Sequence, residues 1–202
     1  MTLIKSISGI RGTIGGEYGD NLTPIDAVNF GCAYGQWILN RNPNIKPTVV
    51  IGRDARISGK MIQNFVQNSL ISLGINVIDL DLSTTPTVEL MVKEYNAHGG
   101  IIITASHNPT EWNALKLLDE NGEFLNSFEG EKIVELSESK NFVFSNVHDL
   151  GIITKSNNSM KKHSTKIIIV VISLMTSNMF AQAEMDSQHS IFKFRWSCSV
   201  YC

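Results

Sequence analysis

Five residues, Gly100-Ile-Ile-Ile-Thr104, constrain the fold of this chain more than any other stretch. An unbroken apolar run of β-branched residues reads as a strand buried on both faces, which needs a sheet covered by helices on both sides. The run empties, with no helix signal, into Ala105-Ser106-His107-Asn108-Pro109. In open α/β sheets, ligands collect outside the carboxyl ends of the strands, where this loop would lie. A serine hydroxyl there, beside an imidazole and an amide and stiffened by Pro109, suits a covalent phosphate or acyl carrier. Ser, Asn and Pro are equally common turn formers, so the local pattern leaves an ordinary strand-to-helix turn open as well.

The rest of the chain places that strand. Leu3 to Ile7 alternates like a half-buried strand and enters Ser8-Gly-Ile-Arg-Gly-Thr-Ile-Gly-Gly16, read as a glycine-rich loop in which Arg11 offers a planar fork of donors to phosphate oxygens. Its spacing matches neither the Rossmann nor the P-loop pattern, and a solvated loop arginine is the alternative. Thr23-Pro24 with Asp26 starts a helix running to about Leu39, with Ile25, Val28, Cys32 and Trp37 on its apolar face and Gly31 and Gly35 packing closely on a sheet. Cys32 is read as a core residue. Pro47 to Ile51 is a second buried strand that opens into Gly52-Arg-Asp-Ala-Arg56, where the arginines either meet a ligand or pair with neighbours.

Ser58-Gly59 opens a helix to about Leu73, with Met61, Phe65 and Val66 inward. Ile75 to Leu82 is a third strand, with Asp79 and Asp81 as solvated strand-end residues, and Thr85-Pro86 starts a helix to about Tyr95. Beyond Pro109, Asn113 to Leu118 reads as a strand, and Asp119-Glu-Asn-Gly122 as a tight turn bordering the site and returning Lys116 toward Ser106. A helix follows around Glu129 to Ser137. The alternation of strand and helix gives an α/β class: a three-layer α/β/α domain with a mixed, mostly parallel sheet, plus an irregular C-terminal tail.

A formal charge of −2, from 17 basic and 19 acidic residues, gives no field for nucleic acid, and no basic run marks a membrane surface for residues 1–154. A small anionic ligand would need local arginines. Cys32, Cys198 and Cys202 form neither a disulfide framework nor a zinc spacing, which suits a reduced cytoplasm.

Ser8-Gly-Ile-Arg-Gly12, Gly52-Arg-Asp-Ala-Arg56 and Thr104-Ala-Ser-His-Asn-Pro109, in this order and spacing, resemble the first domain of the α-D-phosphohexomutases, the family of phosphoglucomutases, phosphomannomutases and phosphoglucosamine mutases. The N-terminal wording looks closest to bacterial phosphoglucosamine mutases. The resemblance implies an intramolecular phosphotransferase of the isomerase class, interconverting hexose 1-phosphate and 6-phosphate through a bisphosphate intermediate. It implies that Ser106 carries the phosphoryl group, His107 orients phosphoserine and sugar, Lys116 moves the hydroxyl proton and Arg11 stabilises the transferring group. Thr104, Asn108 and Arg53 are the implied substrate- or phosphate-binding residues. The implied cofactors are Mg²⁺, held partly by a phosphate oxygen on Ser106, and glucose or glucosamine 1,6-bisphosphate as priming donor. The implied partner is a small sugar phosphate.

The family's remaining parts are not found: no Asp-Gly-Asp-x-Asp-Arg metal loop, no Gly-Glu-x-Ser-Gly sugar loop and no final phosphate loop. The family domain is expected over 1–154, and 155–202 as a non-family tail of a truncated or fused product. Met160 to Ala183 has the basic start, apolar centre and small-x-small ending of a signal peptide. A chain of this kind has little or no activity alone, and a non-catalytic fragment that keeps the fold or docks with other subunits is the alternative.

Overall fold

The computed structural model describes residues 1–6 and 9–156. The elements are β1 (Ile4–Ser6), β2 (Gly9–Thr13), α1 (Pro24–Arg41), β3 (Thr48–Arg53), α2 (Gly59–Ser72), β4 (Asn76–Leu82), α3 (Thr85–Glu94), β5 (Gly99–Ile103), β6 (Trp112–Leu118), α4 (Ser127–Ser139) and β7 (Ile153–Lys155). They build one mixed sheet in the order β1-β2-β6-β5-β3-β4-β7. β5, β3, β4 and β7 run parallel to one another, while β1, β2, β6 and β5 are joined by antiparallel pairings.

β5 sits at the junction and is buried along its whole length. Ile101 and Ile103 pack with α1, α2 and α4 in the larger core, and Ile102 joins Val88, Met91 and Val92 of α3 in the smaller one. This alternation is why a continuous apolar run is needed here: each face of the strand meets its own helical layer. Gly99 admits no side chain, since a Cβ there would collide with the Tyr34 hydroxyl, which donates to the Leu118 carbonyl at 2.7 Å. Burial pushes the Tyr34 hydroxyl far above its ordinary range. The Cys32 thiol is also raised by burial, in keeping with a core residue.

The helix starts follow their sequence signals. Thr23 caps α1 in a capping box with Asp26, and Asn126 caps α4 in one with Glu129. α3 is capped by Thr84, one residue before the expected position.

Several expectations are corrected. The segment from Gly9 is strand β2 rather than loop, because its backbone pairs in register with β6 from Gly9↔Lys116 to Thr13↔Trp112. In α1, Ile25 and Val28 face solvent and the buried stripe runs through Ala27, Phe30, Gly31, Tyr34 and Ile38. Gly31 and Gly35 admit close contact with Val66, Ser69 and Leu70 of α2 and with Leu73 at its C-cap, so the close packing is chiefly helix on helix. Met61 is exposed. Asp79 is buried rather than solvated: it accepts from Gln63 Nε2 at 2.5 Å and from the Asp81 amide at 2.7 Å, with Lys60 Nζ 3.8 Å away.

The strand β7, Ile153–Lys155, spans the expected boundary at 154. The expected tail, with its signal-peptide-like segment, lies outside the described residues from 157 onward. Among the described residues no helix is long and apolar enough to cross a membrane.

Candidate functional site

β5 delivers the backbone into a turn whose Asn108 amide donates to the Ala105 carbonyl at 3.1 Å. Ser106 occupies the first central position of that turn with φ of 56°. Turns that need a positive φ at this position usually take glycine, because an L side chain crowds the carbonyl there. Ser106 and His107 are exposed, Asn108 is half-buried, and the residues before them are buried. The hydroxyl is thus presented to solvent at the carboxyl end of the central strand by a backbone conformation that serine rarely adopts.

The β3–α2 loop holds this turn in place. Arg56 Nε donates to Asp54 Oδ2 at 3.1 Å. Its Nη1 donates to the carbonyls of Pro109 at 2.7 Å and Trp112 at 3.0 Å, and its Nη2 to those of Ser106 and Asn108, both at 2.8 Å. Every N–H of the guanidinium is thereby engaged. Asp54 is oriented in turn by the Arg56 amide, which donates to Oδ1 at 3.0 Å. Thr104 Oγ1 donates to Asp54 Oδ2 at 2.6 Å and accepts the Ser106 amide at 3.0 Å. A second tie lies alongside: the buried Asn113 donates through Nδ2 to Ser58 Oγ at 2.9 Å, joining the start of β6 to the N-terminus of α2.

Arg53 is held differently. It donates through Nε to Gln63 Oε1 at 3.1 Å, through Nη1 to the Asp54 carbonyl at 3.2 Å and through Nη2 to Asp81 Oδ1 at 2.6 Å. Both arginines of the motif therefore spend donors on protein groups.

Arg11 and Lys116 stand apart from this network. Arg11 lies opposite Ala114, and Lys116 opposite both Gly9 and Ile102. Residues directly opposed across an antiparallel pair project to the same face, so both cations lie on the face where α3 covers Ile102. On β2, beyond α3, Arg11 is exposed, and among the described residues it has no hydrogen-bond or ion-pair partner. Lys116 is half-buried with its ammonium 5.9 Å from the centre of the Phe124 ring and no carboxylate partner among the described residues.

The expected route from Lys116 to Ser106 is corrected. β6 runs antiparallel to β5, so the turn at Asp119–Gly122 follows Leu118, which pairs with Gly100 at the amino end of β5. The end of β6 that meets the serine loop is the Trp112–Ala114 end, where the Thr104 amide donates to the Ala114 carbonyl at 3.1 Å. Lys116 is level with Ile102, at most about 13 Å of extended chain before Ser106 at ~3.3 Å per residue. Arg11, level with Ala114, is nearer the loop.

A groove of about 770 Å³ between α1 and α4, lined by Trp37, Arg41, Phe128 and Lys132 among others, contains none of these residues. The chemistry gathers at the open end of the sheet instead. Among the described residues no three His, Cys, Asp or Glu side chains gather as a metal site. The described side chains do not by themselves make a site that fits Mg²⁺.

Comparison with known proteins identifies the family of the domain. The family description "Phosphoglucomutase/phosphomannomutase, alpha/beta/alpha domain I" matches residues 3–144. The chain belongs to this family. It is 37% identical over 149 residues to a phosphoglucomutase/phosphomannomutase of Thermococcus kodakarensis, covering 74% of this chain and 32% of that protein. It is 41% identical over 114 residues to a phosphoglucosamine mutase of Macrococcus caseolyticus, covering 56% and 24%. The fold resembles that of a putative phosphomannomutase from Thermus thermophilus, with a TM-score of 0.65 and 24% identity over 78% of this chain and 34% of that one. The chain spans about a third of the length of the first curated relatives it matches.

The bonds that shape the Ser106 turn come from Arg56 and Thr104, both tied to Asp54, while Asn113 and Ser58 join the neighbouring elements alongside. A polar residue at the head of an otherwise apolar strand is the sequence signal that could have pointed to Asn113. No comparable signal marks Arg56 as a ligand of carbonyls.

Proposed function

We propose that this chain is the phosphoserine-carrying domain of a phosphohexose mutase that interconverts hexose 1-phosphate and 6-phosphate, with glucosamine phosphate as the sugar. The observation that carries this reading is the exposed Ser106 on a bonded turn, with two cations that have no carboxylate partner among the described residues, Arg11 and Lys116, on one face of the adjoining strands. Relatives named as phosphoglucosamine mutases support the choice of sugar.

In the priming step a sugar bisphosphate gives one phosphoryl group to Ser106. The Ser106 Oγ–P bond forms as the sugar O–P bond breaks, and the serine proton passes to the departing sugar oxygen. In turnover the phosphoserine gives its group to a free hydroxyl of the hexose monophosphate, and the serine is rephosphorylated by the other end of the resulting bisphosphate. Arg11 supplies positive charge to the transferring oxygens, which is where catalysis of phosphoryl transfer chiefly resides. Lys116 carries the hydroxyl proton, and His107, exposed beside the serine, orients the phosphate and sugar. Binding of the phosphate by the loop draws on Asn108, whose carbonyl is held by Arg56 and whose side chain has no hydrogen-bond partner among the described residues; Thr104 and Arg53, engaged by protein groups, contribute by holding the loops.

The test is intact-mass measurement after incubation with glucose 1,6-bisphosphate or glucosamine 1,6-bisphosphate in the presence of Mg²⁺. One added phosphoryl group, absent in Ser106→Ala, is expected. No adduct with either donor, or an adduct that persists in Ser106→Ala, would overturn the carrier role.

A further inference from the structure

We propose that Asp54, Arg56 and Thr104 form a positioning unit that fixes the Ser106 hydroxyl for phosphoryl transfer, and that Arg56 is not a phosphate ligand. The inference rests on the reading of Ser106 as the phosphoryl carrier, and it assigns the second arginine of the motif a role opposite to the one its charge suggests.

Three observations support it. First, the Arg56 guanidinium has no donor to spare: its nitrogens are consumed by Asp54 and by the carbonyls of Ser106, Asn108, Pro109 and Trp112. A phosphate could be bound only by breaking bonds that shape the turn. The Arg56 side chain is 11% exposed, and its bonds to Asp54, Trp112 and Asn108 are part-buried while those to Pro109 and Ser106 lie at the surface.

Second, the Thr104 hydroxyl is fully committed. It gives its proton to Asp54 and takes the Ser106 amide proton, which fixes the amide of Ser106 relative to the β3–α2 loop. That amide is therefore unavailable to a phosphate on its own side chain. Third, Ser106 has a φ of 56°, a conformation that an L residue keeps only where surrounding bonds over-determine it. The carbonyl of Ser106 bonded to Arg56 and its amide bonded to Thr104 grip the residue from both sides. With the backbone fixed in this way, the hydroxyl's direction is set by one side-chain torsion. Misplacing a reacting atom by ~1 Å can cost on the order of 100-fold in rate.

The experiment uses the full chain with Thr104→Val, Thr104→Ser and Arg56→Lys. Val keeps the shape of Thr and removes the hydroxyl, Ser restores the hydroxyl, and Lys keeps the charge but cannot reach four carbonyls and a carboxylate at once. Two readouts are taken on each: amide hydrogen exchange at residues 105–108, and the rate of Ser106 phosphorylation across glucose 1,6-bisphosphate concentrations. For Thr104→Val and Arg56→Lys we expect exchange about tenfold faster or more, and a saturating rate about 10- to 100-fold lower with the half-saturating concentration within about twofold. Thr104→Ser should recover most of both. A raised half-saturating concentration at an unchanged saturating rate in Arg56→Lys would make Arg56 a ligand and overturn the proposal. So would unchanged exchange in Thr104→Val, the milder variant should Arg56→Lys fail to fold. If wild-type protein takes up no phosphoryl group, the carrier reading fails, and the exchange readout alone decides the positioning unit: faster exchange supports it and unchanged exchange refutes it.

Discussion

Arg56 and Arg11 come from two glycine-containing motifs and carry the same charge, yet the structure uses them in opposite ways. Arg56 turns inward, and four backbone carbonyls and a carboxylate absorb its donors. Arg11 stands exposed on β2 with no partner among the described residues. A positive charge near a phosphate site is thus not by itself a phosphate ligand. What distinguishes the two is the use of their donors: the saturated guanidinium of Arg56 builds the loop, and that of Arg11 keeps its donors open among the described residues.

The largest expected effect breaks the inward arginine. Arg56→Ala leaves four carbonyls without their side-chain donor and removes the guanidinium from the Asp54 carboxylate, and chemical denaturation should show a loss of about 3 kcal/mol. If the variant is as stable as wild type, the clamp contributes nothing and the contrast with Arg11 collapses. Asn113→Ala sharpens the same side of the comparison. It removes the buried amide that ties β6 to Ser58, and about 2 kcal/mol should be lost.

A change of opposite sign tests the strain the clamp supports. Ser106→Gly removes the side chain from a positive-φ position, and stability should rise by about 0.5–1 kcal/mol, with Ser106→Ala giving no such gain. Equal stability of the Gly and Ala variants would mean that the left-handed turn stores no strain. The smallest effect belongs to the outward arginine. Arg11→Ala breaks no bond within the described residues, so its stability should match wild type within about 0.5 kcal/mol while Ser106 phosphorylation slows.

The fold is legible in the sequence where a segment's own side chains dictate its state. The isoleucines of β5 allow no other reading, and Thr23-Pro24 with Asp26 announces α1 by its cap chemistry. β2 is not legible in this way: its glycines and Arg11 have little strand preference, and its identity comes from pairing with β6, which follows it by about a hundred residues. The face of α1 is only half legible: Cys32 and Trp37 are buried as expected, but the helix packs on α2 and α4, so small residues such as Ala27, Gly31 and Ala33 lie inward while Ile25 and Val28 are left outside. Asp79 is missed because a carboxylate in a strand reads as solvated unless its partner, here Gln63 on α2, is known.

The candidate site divides along the same line. Ser106 is singled out in the sequence by the strand, the turn and the motif together, and the structure places it exposed in that turn at positive φ. The clamp is not, because Arg56 binds backbone carbonyls 50 to 56 residues away, and a carbonyl carries no mark in the sequence. The position of Lys116 follows from the antiparallel register of β6, which reverses the end of the sheet to which its hairpin belongs.

The division of labour between the two arginines is tested most directly by NMR observation of the arginine Nε–H groups during titration with inorganic phosphate. Arg11→Lys and Arg56→Lys assign the two signals by their disappearance. The expected result is a saturable shift of the Arg11 signal, with the Arg56 signal unmoved and protected from solvent exchange. A saturable shift at Arg56 with Arg11 unmoved would contradict the division and return Arg56 to the phosphate site.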